Sequence, residues 1–409
     1  MKASKNSDSK FTVPGFKAAA VAAGIKKKNR LDLGLIAAKE PAVAAGVFTT
    51  NRVRAPAVVL CRERLRRGKA RAVLVNSGNA NTCVGPRGIR DARILSEYLG
   101  LALGVPESQV LISQTGVIGE PLPLSRIEDA IPQLVRALRP EGFLDFAHAI
   151  MTTDTRAKIS IRECKLGKKR VKILGIAKGS GMIQPSMATM LCYLLTDASV
   201  SPSLLRALLK AASEETFNAI TVDGDMSTSD TVIAMASGVA EAERLAEKSR
   251  RARAFGEALT ELCADLARQI VADGEGATRI FKVEVLKARS AKDAEKVARR
   301  IANSLLVKTA FHAGDANWGR VLAAAGSAGV DIDPEKIDLV FAAEKGRPKV
   351  EVARKGALSR SYRESIASKI LGGKSFQVII SLNQGKAKFS VTSCDLSAEY
   401  VRINAEYRT

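Results

Sequence analysis

The stretch Ala177-Lys-Gly-Ser-Gly-Met-Ile-Gln-Pro-Ser-Met-Ala-Thr189 is rich in glycine, contains a proline and runs straight into Met190-Leu-Cys-Tyr-Leu-Leu195, an apolar run that reads as a buried strand. Thr189 stands at the mouth of that strand. A threonine hydroxyl is a weak nucleophile until a base takes its proton, and one known route uses the α-amine of a threonine that begins a chain. That amine has a reference pKa of roughly 7.7 to 8.0, so a useful fraction is free base near neutral pH. Thr189 is internal, so the route requires loss of Ala188 and everything before it. A strained Gly/Pro loop is a place where the Thr189 hydroxyl could attack the preceding carbonyl and release its own amine. The plain alternative is a β-branched residue opening a strand.

Other chemistry is constrained by what the chain contains. His148 and His312 are its two histidines, which excludes a His-rich metal centre and leaves a Ser-His-Asp arrangement two candidate bases. Both are expected to be packed or surface residues. Six cysteines, at 61, 83, 164, 192, 263 and 394, form no CxxC pair and read as reduced thiols. The acidic, hydroxyl-rich loop Ile220-Thr-Val-Asp-Gly-Asp-Met-Ser-Thr-Ser-Asp230 lacks EF-hand spacing, so turn chemistry is the reading and no metal is expected. Gly372-Gly-Lys-Ser375 mimics the end of a phosphate loop, but Ser368 replaces the first required glycine and Phe376 to Leu382 reads as a strand.

The elements that must position these residues alternate in type. Phe11 to Ala38 reads as short strands and tight turns around the basic cluster Lys26, Lys27 and Lys28, expected to be a solvated turn. Ala70 to Val75 reads as a buried strand emptying into Asn76-Ser-Gly-Asn-Ala-Asn81, a set of residues suited to turns and left-handed backbone. Ile89 to Leu103 has helical spacing with Gly104 and Pro106 as a stop, and Val110 to Ser113 is a strand ending at Thr115-Gly116. Leu124 to Ile150 reads as helix interrupted at Pro132 and around Pro140, followed by a hairpin about Gly167. Ser203 to Thr216 and Glu241 to Ala272 are helical, with Lys248 to Arg253 as a solvated face. From Arg279 strands and helices alternate again, with Asp293 to Ser304 an amphipathic helix, which suggests a second domain.

Length and composition agree with a globular chain of two or three domains: 409 residues, 46% hydrophobic and 26% charged. The formal charge of +22 favours acidic partners, from carboxylate metabolites to nucleic acid. Aromatics at 4%, with no RNA- or DNA-binding signature, argue against nucleic acid, and a filter-binding assay would separate the two. The polar start, Met1 to Lys10, has no apolar signal region and no run of 18 apolar residues occurs, so the expectation is a cytoplasmic protein.

Lys178-Gly-Ser-Gly-Met-Ile-Gln-Pro-Ser-Met-Ala-Thr-Met-Leu191 resembles the self-cleavage signature of the ornithine acetyltransferase (glutamate N-acetyltransferase) family of the cyclic arginine pathway. The resemblance covers nearly the whole chain, through Val47 to Pro56, Asn76 to Asn81, Gln114 to Gly119, Met151 to Asp154, Val222 to Asp225, Asp273 to Thr278, Asp315 to Arg320 and the ending Asn404-Ala-Glu-Tyr-Arg-Thr409. One departure is Leu305, where the family usually has a proline; the change bears on a turn and touches no residue assigned to catalysis.

The resemblance implies a layered α/β fold of the self-processing threonine-nucleophile type, with a catalytic domain at 1–280 and a smaller α/β domain at 281–409, whose tail from 398 returns to the active site. It implies cleavage between Ala188 and Thr189, and Thr189 as the nucleophile that takes acetyl from N-acetylornithine and passes it to glutamate. Thr115 and Gly116 would stabilise the oxyanion, a role absent from an ordinary strand-ending turn. Lys178 and Glu275 would bind the substrate's charges, Asn404 and Thr409 would return to the pocket, and Thr152, ahead of Thr153, would contact substrate. Asn76, Asn79 and Asn81 read as turn residues. No cofactor is expected, and the assembly implied is a dimer of cleaved pairs, a heterotetramer.

Two other enzyme readings stand beside this one: a related self-cleaving amidohydrolase or aminopeptidase, and a bifunctional enzyme that also makes N-acetylglutamate from acetyl-CoA. The chain has no phosphate-cradling glycine motif that begins a helix, so transfer from N-acetylornithine is expected to dominate over acetyl-CoA.

Overall fold

The computed structural model describes residues 10–26, 30–184, 190–240 and 244–406. The chain divides into a larger unit, Met1–Asn218 with Asp225–Ile270 and Arg408–Thr409, and a smaller one, Ala219–Gly224 with Val271–Tyr407.

In the larger unit eight strands form one sheet: β1 (Phe16–Val21), β2 (Leu33–Phe48), β3 (Lys69–Asn79), β4 (Val110–Val117), β5 (Lys158–Leu166), β6 (Lys169–Lys178), β7 (Leu191–Thr196) and β8 (Thr231–Ala236). Their order is β4-β3-β2-β8-β7-β6-β5, with β1 also on β2. The β3–β4 and β7–β8 pairs are parallel and the others antiparallel. Parallel strands covered on both faces are expected to be apolar throughout, and every residue of β7 and β8 is buried.

Alternation along β3 divides two cores. Val73 and Val75 join Phe143, Phe146 and Tyr193 on one face, while Ala72 and Leu74 join Leu95, Leu99 and Ile127 on the other. Over β6 the helix Arg250–Ala272 lies so close that a Cβ on Gly175 would sit 2.5 Å from Leu262, which is why glycine occupies that position.

Two helical expectations are corrected. Pro132 does not interrupt the helix Leu124–Arg136. It lies on the exposed side, while Ile127, Ala130, Ile131 and Leu134 hold the buried face. The helix ending at Ala272 starts at Arg250, not at Glu241. Ser249 accepts the Ala252 N–H and so caps the first turn of this helix.

The smaller unit has a six-stranded sheet of β9 (Ile280–Ala288), β10 (Asp338–Ala343), β11 (Lys349–Arg354), β12 (Ala357–Leu358), β13 (Ser375–Ser381) and β14 (Ala387–Cys394). The order is β12-β11-β10-β13-β9-β14. Helices Ala291–Ala302, Leu305–Ala313, Trp318–Gly326 and Glu364–Leu371 pack over a core in which Phe281, Phe311, Phe341 and Phe376 meet edge to face or stacked. Leu305 is the first residue of its helix, after the cap Ser304 that accepts the Val307 N–H. A proline suits that position too, so leucine there leaves the turn intact.

Candidate active site

Near the end of β4, Thr115-Gly116 lies alongside Ser77 and Gly78 of β3. Gly116 has φ +130°, and a Cβ there would lie 2.3 Å from the Gly78 carbonyl carbon, so only glycine fits. The asparagines of the neighbouring loop scaffold this turn. Asn76 Nδ2 donates to the Asn79 carbonyl at 2.8 Å, Asn79 Nδ2 to the Glu120 and Pro121 carbonyls, and Asn81 Nδ2 to Gly88 and Gln114.

Lys178 is the last residue of β6, and only 3% of it is exposed. Its ammonium donates to Thr152 Oγ1 at 2.8 Å and to Thr115 Oγ1 at 3.3 Å. A hydroxyl that accepts from an ammonium keeps its own proton to donate, and the cation polarises it for that role. Thr153 is directed elsewhere, to Ser180 Oγ at 2.7 Å.

Behind this group lies Asp154. Its Oδ2 accepts the Thr152 N–H at 2.9 Å, and its Oδ1 accepts the Gly179 N–H at 2.7 Å and Lys158 Nζ at 2.6 Å. Burial opposes its charge, but the Lys178 and Lys158 ammonium groups, with the hydrogen bonds from Lys158 and Thr152, outweigh that and bring the carboxyl down to about 2. One carboxylate thus fixes the residues on either side of the Lys178–Thr152 contact. Nearby Lys26 donates to the Leu31 and Ala149 carbonyls, and burial lowers its ammonium to about 8 despite Asp32.

In the smaller unit, Asn404 Nδ2 donates to Glu275 Oε2 at 2.7 Å, and the helix Ala398–Glu406 that carries it packs on the Glu275 loop. A Cβ on Gly276 would lie 2.6 Å from the Tyr400 nitrogen, so glycine permits that approach. His312 pairs with Asp395 at 2.8 Å, and His148 is exposed. Lys27, Lys28, Ala188, Thr189 and Thr409 lie outside the described residues. The structure therefore groups Thr115, Gly116, Thr152 and Lys178 in one unit and Glu275 with Asn404 in the other. Sequence reasoning missed the roles of Asp154 and Lys158. Their i,i+4 spacing was the available signal, but surface pairs have the same spacing.

Fold and site define the class, a layered α/β enzyme whose buried, cation-backed hydroxyls suit chemistry at a carbonyl. The chain belongs to the ArgJ family, whose model matches residues 17–409. It is similar to the arginine biosynthesis bifunctional protein ArgJ of Geobacter sulfurreducens, with 47% identity over 98% of this chain and 100% of that protein. Among solved structures, the ArgJ of Bacillus halodurans is 40% identical over 52% of this chain and 96% of that one, with a TM-score of 0.48. The ornithine acetyltransferase of Mycobacterium tuberculosis, solved with ornithine, is 34% identical over 43% of this chain and 95% of that one, with a TM-score of 0.38. No helix among the described residues is long and apolar enough to cross a membrane.

Proposed function

We propose that Thr189 carries acetyl between N-acetylornithine and glutamate, after the chain cuts itself between Ala188 and Thr189. The chain is an acyltransferase of arginine biosynthesis, an ornithine acetyltransferase acting on small molecules. The observation that carries the residue-level reading is the buried Lys178 ammonium shared by the Thr115 and Thr152 hydroxyls.

In the cleavage, Thr189 Oγ attacks the Ala188 carbonyl carbon, the peptide C–N bond breaks, and the hydroxyl proton passes to the departing amine. Water then hydrolyses the ester, leaving chains of 188 and 221 residues. In turnover, the freed α-amine takes the Thr189 hydroxyl proton as Oγ attacks the acetyl carbonyl of N-acetylornithine. The amide C–N bond breaks, and ornithine leaves with that proton. The amine of glutamate then attacks the acetyl ester, giving N-acetylglutamate and restoring Thr189. Thr115 and Gly116 N–H hold the oxyanion of each step. Lys178 and Thr152 take a substrate carboxylate, and Glu275, with Asn404 and Thr409, takes the side-chain ammonium.

The N-terminal sequence of the purified protein tests this: a second chain beginning Thr-Met-Leu-Cys is expected, and Thr189→Ala is expected to stay whole and inactive. A Thr189→Ala protein that still yields both fragments refutes self-cleavage. The word bifunctional in the relatives' names favours a second activity, which we assign to acetyl-CoA as a weaker donor. The assembly proposed is a dimer of cleaved pairs, working in the cytoplasm.

A further inference from the structure

The acidic loop that precedes β8 ends in Asp230, and no step above uses it. Its side chain is fully buried. Oδ1 accepts the Met190 N–H at 3.1 Å, while Oδ2 makes no hydrogen bond among the described residues, the Thr49 hydroxyl beside the carboxyl donating instead to the Ser227 carbonyl at 2.8 Å. The backbone around it is tied on both sides: the Asp230 carbonyl accepts the Thr49 N–H at 3.0 Å, and the Thr231 N–H donates to the Met190 carbonyl at 3.0 Å. Asp230 therefore sits where the turn after β2, the entry to β7 and the start of β8 converge.

The N–H that it holds belongs to the peptide bond joining Thr189 to Met190. A serine or asparagine could cap that N–H without burying an ionisable group, and an orphaned buried oxygen has an energetic cost that a mere cap avoids. Burial keeps this carboxyl well above the usual carboxylate range, against the opposing effects of the Met190 N–H, Thr49 and Lys178.

We propose that Asp230 is a positioning residue for Thr189, holding through the Met190 N–H the peptide unit that follows it in place for chain cleavage and for acetyl transfer. This rests on the reading of Thr189 as the nucleophile. It acts by hydrogen bonding and exchanges no proton with substrate.

The test uses the full chain with Asp230→Asn, Asp230→Ala and Asp230→Leu, read by mass spectrometry of cleavage over time, by kcat and KM on cut protein, and by thermal melting. Asn keeps the acceptor for the Met190 N–H, so its cleavage and kcat are expected to stay within about threefold of the parent. Ala is expected to slow cleavage and lower kcat by at least about tenfold while KM for N-acetylornithine moves less than about threefold. Leu fills the same space without an acceptor and carries the same expectation if the Ala chain does not fold. Parent-like kinetics in Ala or Leu, an Asn variant as impaired as Ala, or a raised KM at unchanged kcat each overturns the proposal. A parent chain with no cut at Thr189 overturns the nucleophile reading itself, whereas a normally cut parent with an indifferent Ala variant overturns the role of Asp230 alone.

Discussion

Asp154 and Lys158 form an ion pair with both side chains sealed from solvent, 2.6 Å between Oδ1 and Nζ. Removing one partner strands the other, at a typical cost of about 3–5 kcal/mol. Asp154→Asn is therefore expected to lower Tm strongly and to loosen the Thr152 and Gly179 loops together. A melt within about 2 °C of the parent would sink this assignment.

The two buried acids respond to pH in opposite directions. Asp154 is depressed from 3.8 to about 2 in the folded chain, so its stabilisation is full above 3.8 and is lost as pH falls towards 2. Asp230 is raised above 3.8, so the unfolded chain sheds its proton first and stability falls as pH rises past that value. The Tm of Asp230→Asn relative to the parent is accordingly expected to be higher at about pH 8 than at about pH 4. A difference independent of pH contradicts this.

Thr115 accepts from Lys178 and keeps its proton for a developing oxyanion. Thr115→Val preserves the shape and removes the donor, so kcat is expected to fall by about 10²–10³ with little change in KM. Steady-state kinetics on cut protein decides it, and a change confined to KM assigns Thr115 to ground-state binding instead.

One acetyl ester filled and emptied in turn requires ping-pong kinetics. Double-reciprocal plots with N-acetylornithine and glutamate are expected to be parallel, and the 221-residue chain to trap acetyl. Comparing kcat/KM for N-acetylornithine and acetyl-CoA, with glutamate as common acceptor, measures the weaker second activity. Equal efficiency with acetyl-CoA shows a pocket built for both donors.

Much of this is legible in the sequence alone. The alternation of Ala72, Val73, Leu74 and Val75 and the unbroken apolar runs of β7 and β8 mark sheet strands, and Thr115-Gly116 reads as a strand-end turn because the spacing is local. Long-range relations were not legible. Nothing in the periodicity shows that Lys178 reaches Thr115, 63 residues away, or that Asn404 meets Glu275, 129 residues away. Asp154 and Lys158 look like surface charges until the loops close over them, and Pro132 looks like a break until its exposed face is known. Only the family resemblance singled out Lys178, Glu275 and Asn404 among the other charged and amide residues.

The strand order of the large sheet has a consequence for a chain cut before Thr189. Strands β1 to β6 belong to the 188-residue piece and β7 and β8 to the 221-residue piece, yet β8 is hydrogen-bonded to β2 and β7 to β6. The second piece is inlaid between two parts of the first, along two separate seams. Such halves cannot drift apart and re-pair as ordinary subunits do; mixing isotopically labelled and unlabelled enzyme is expected to produce no hybrid pairs until the sheet itself melts.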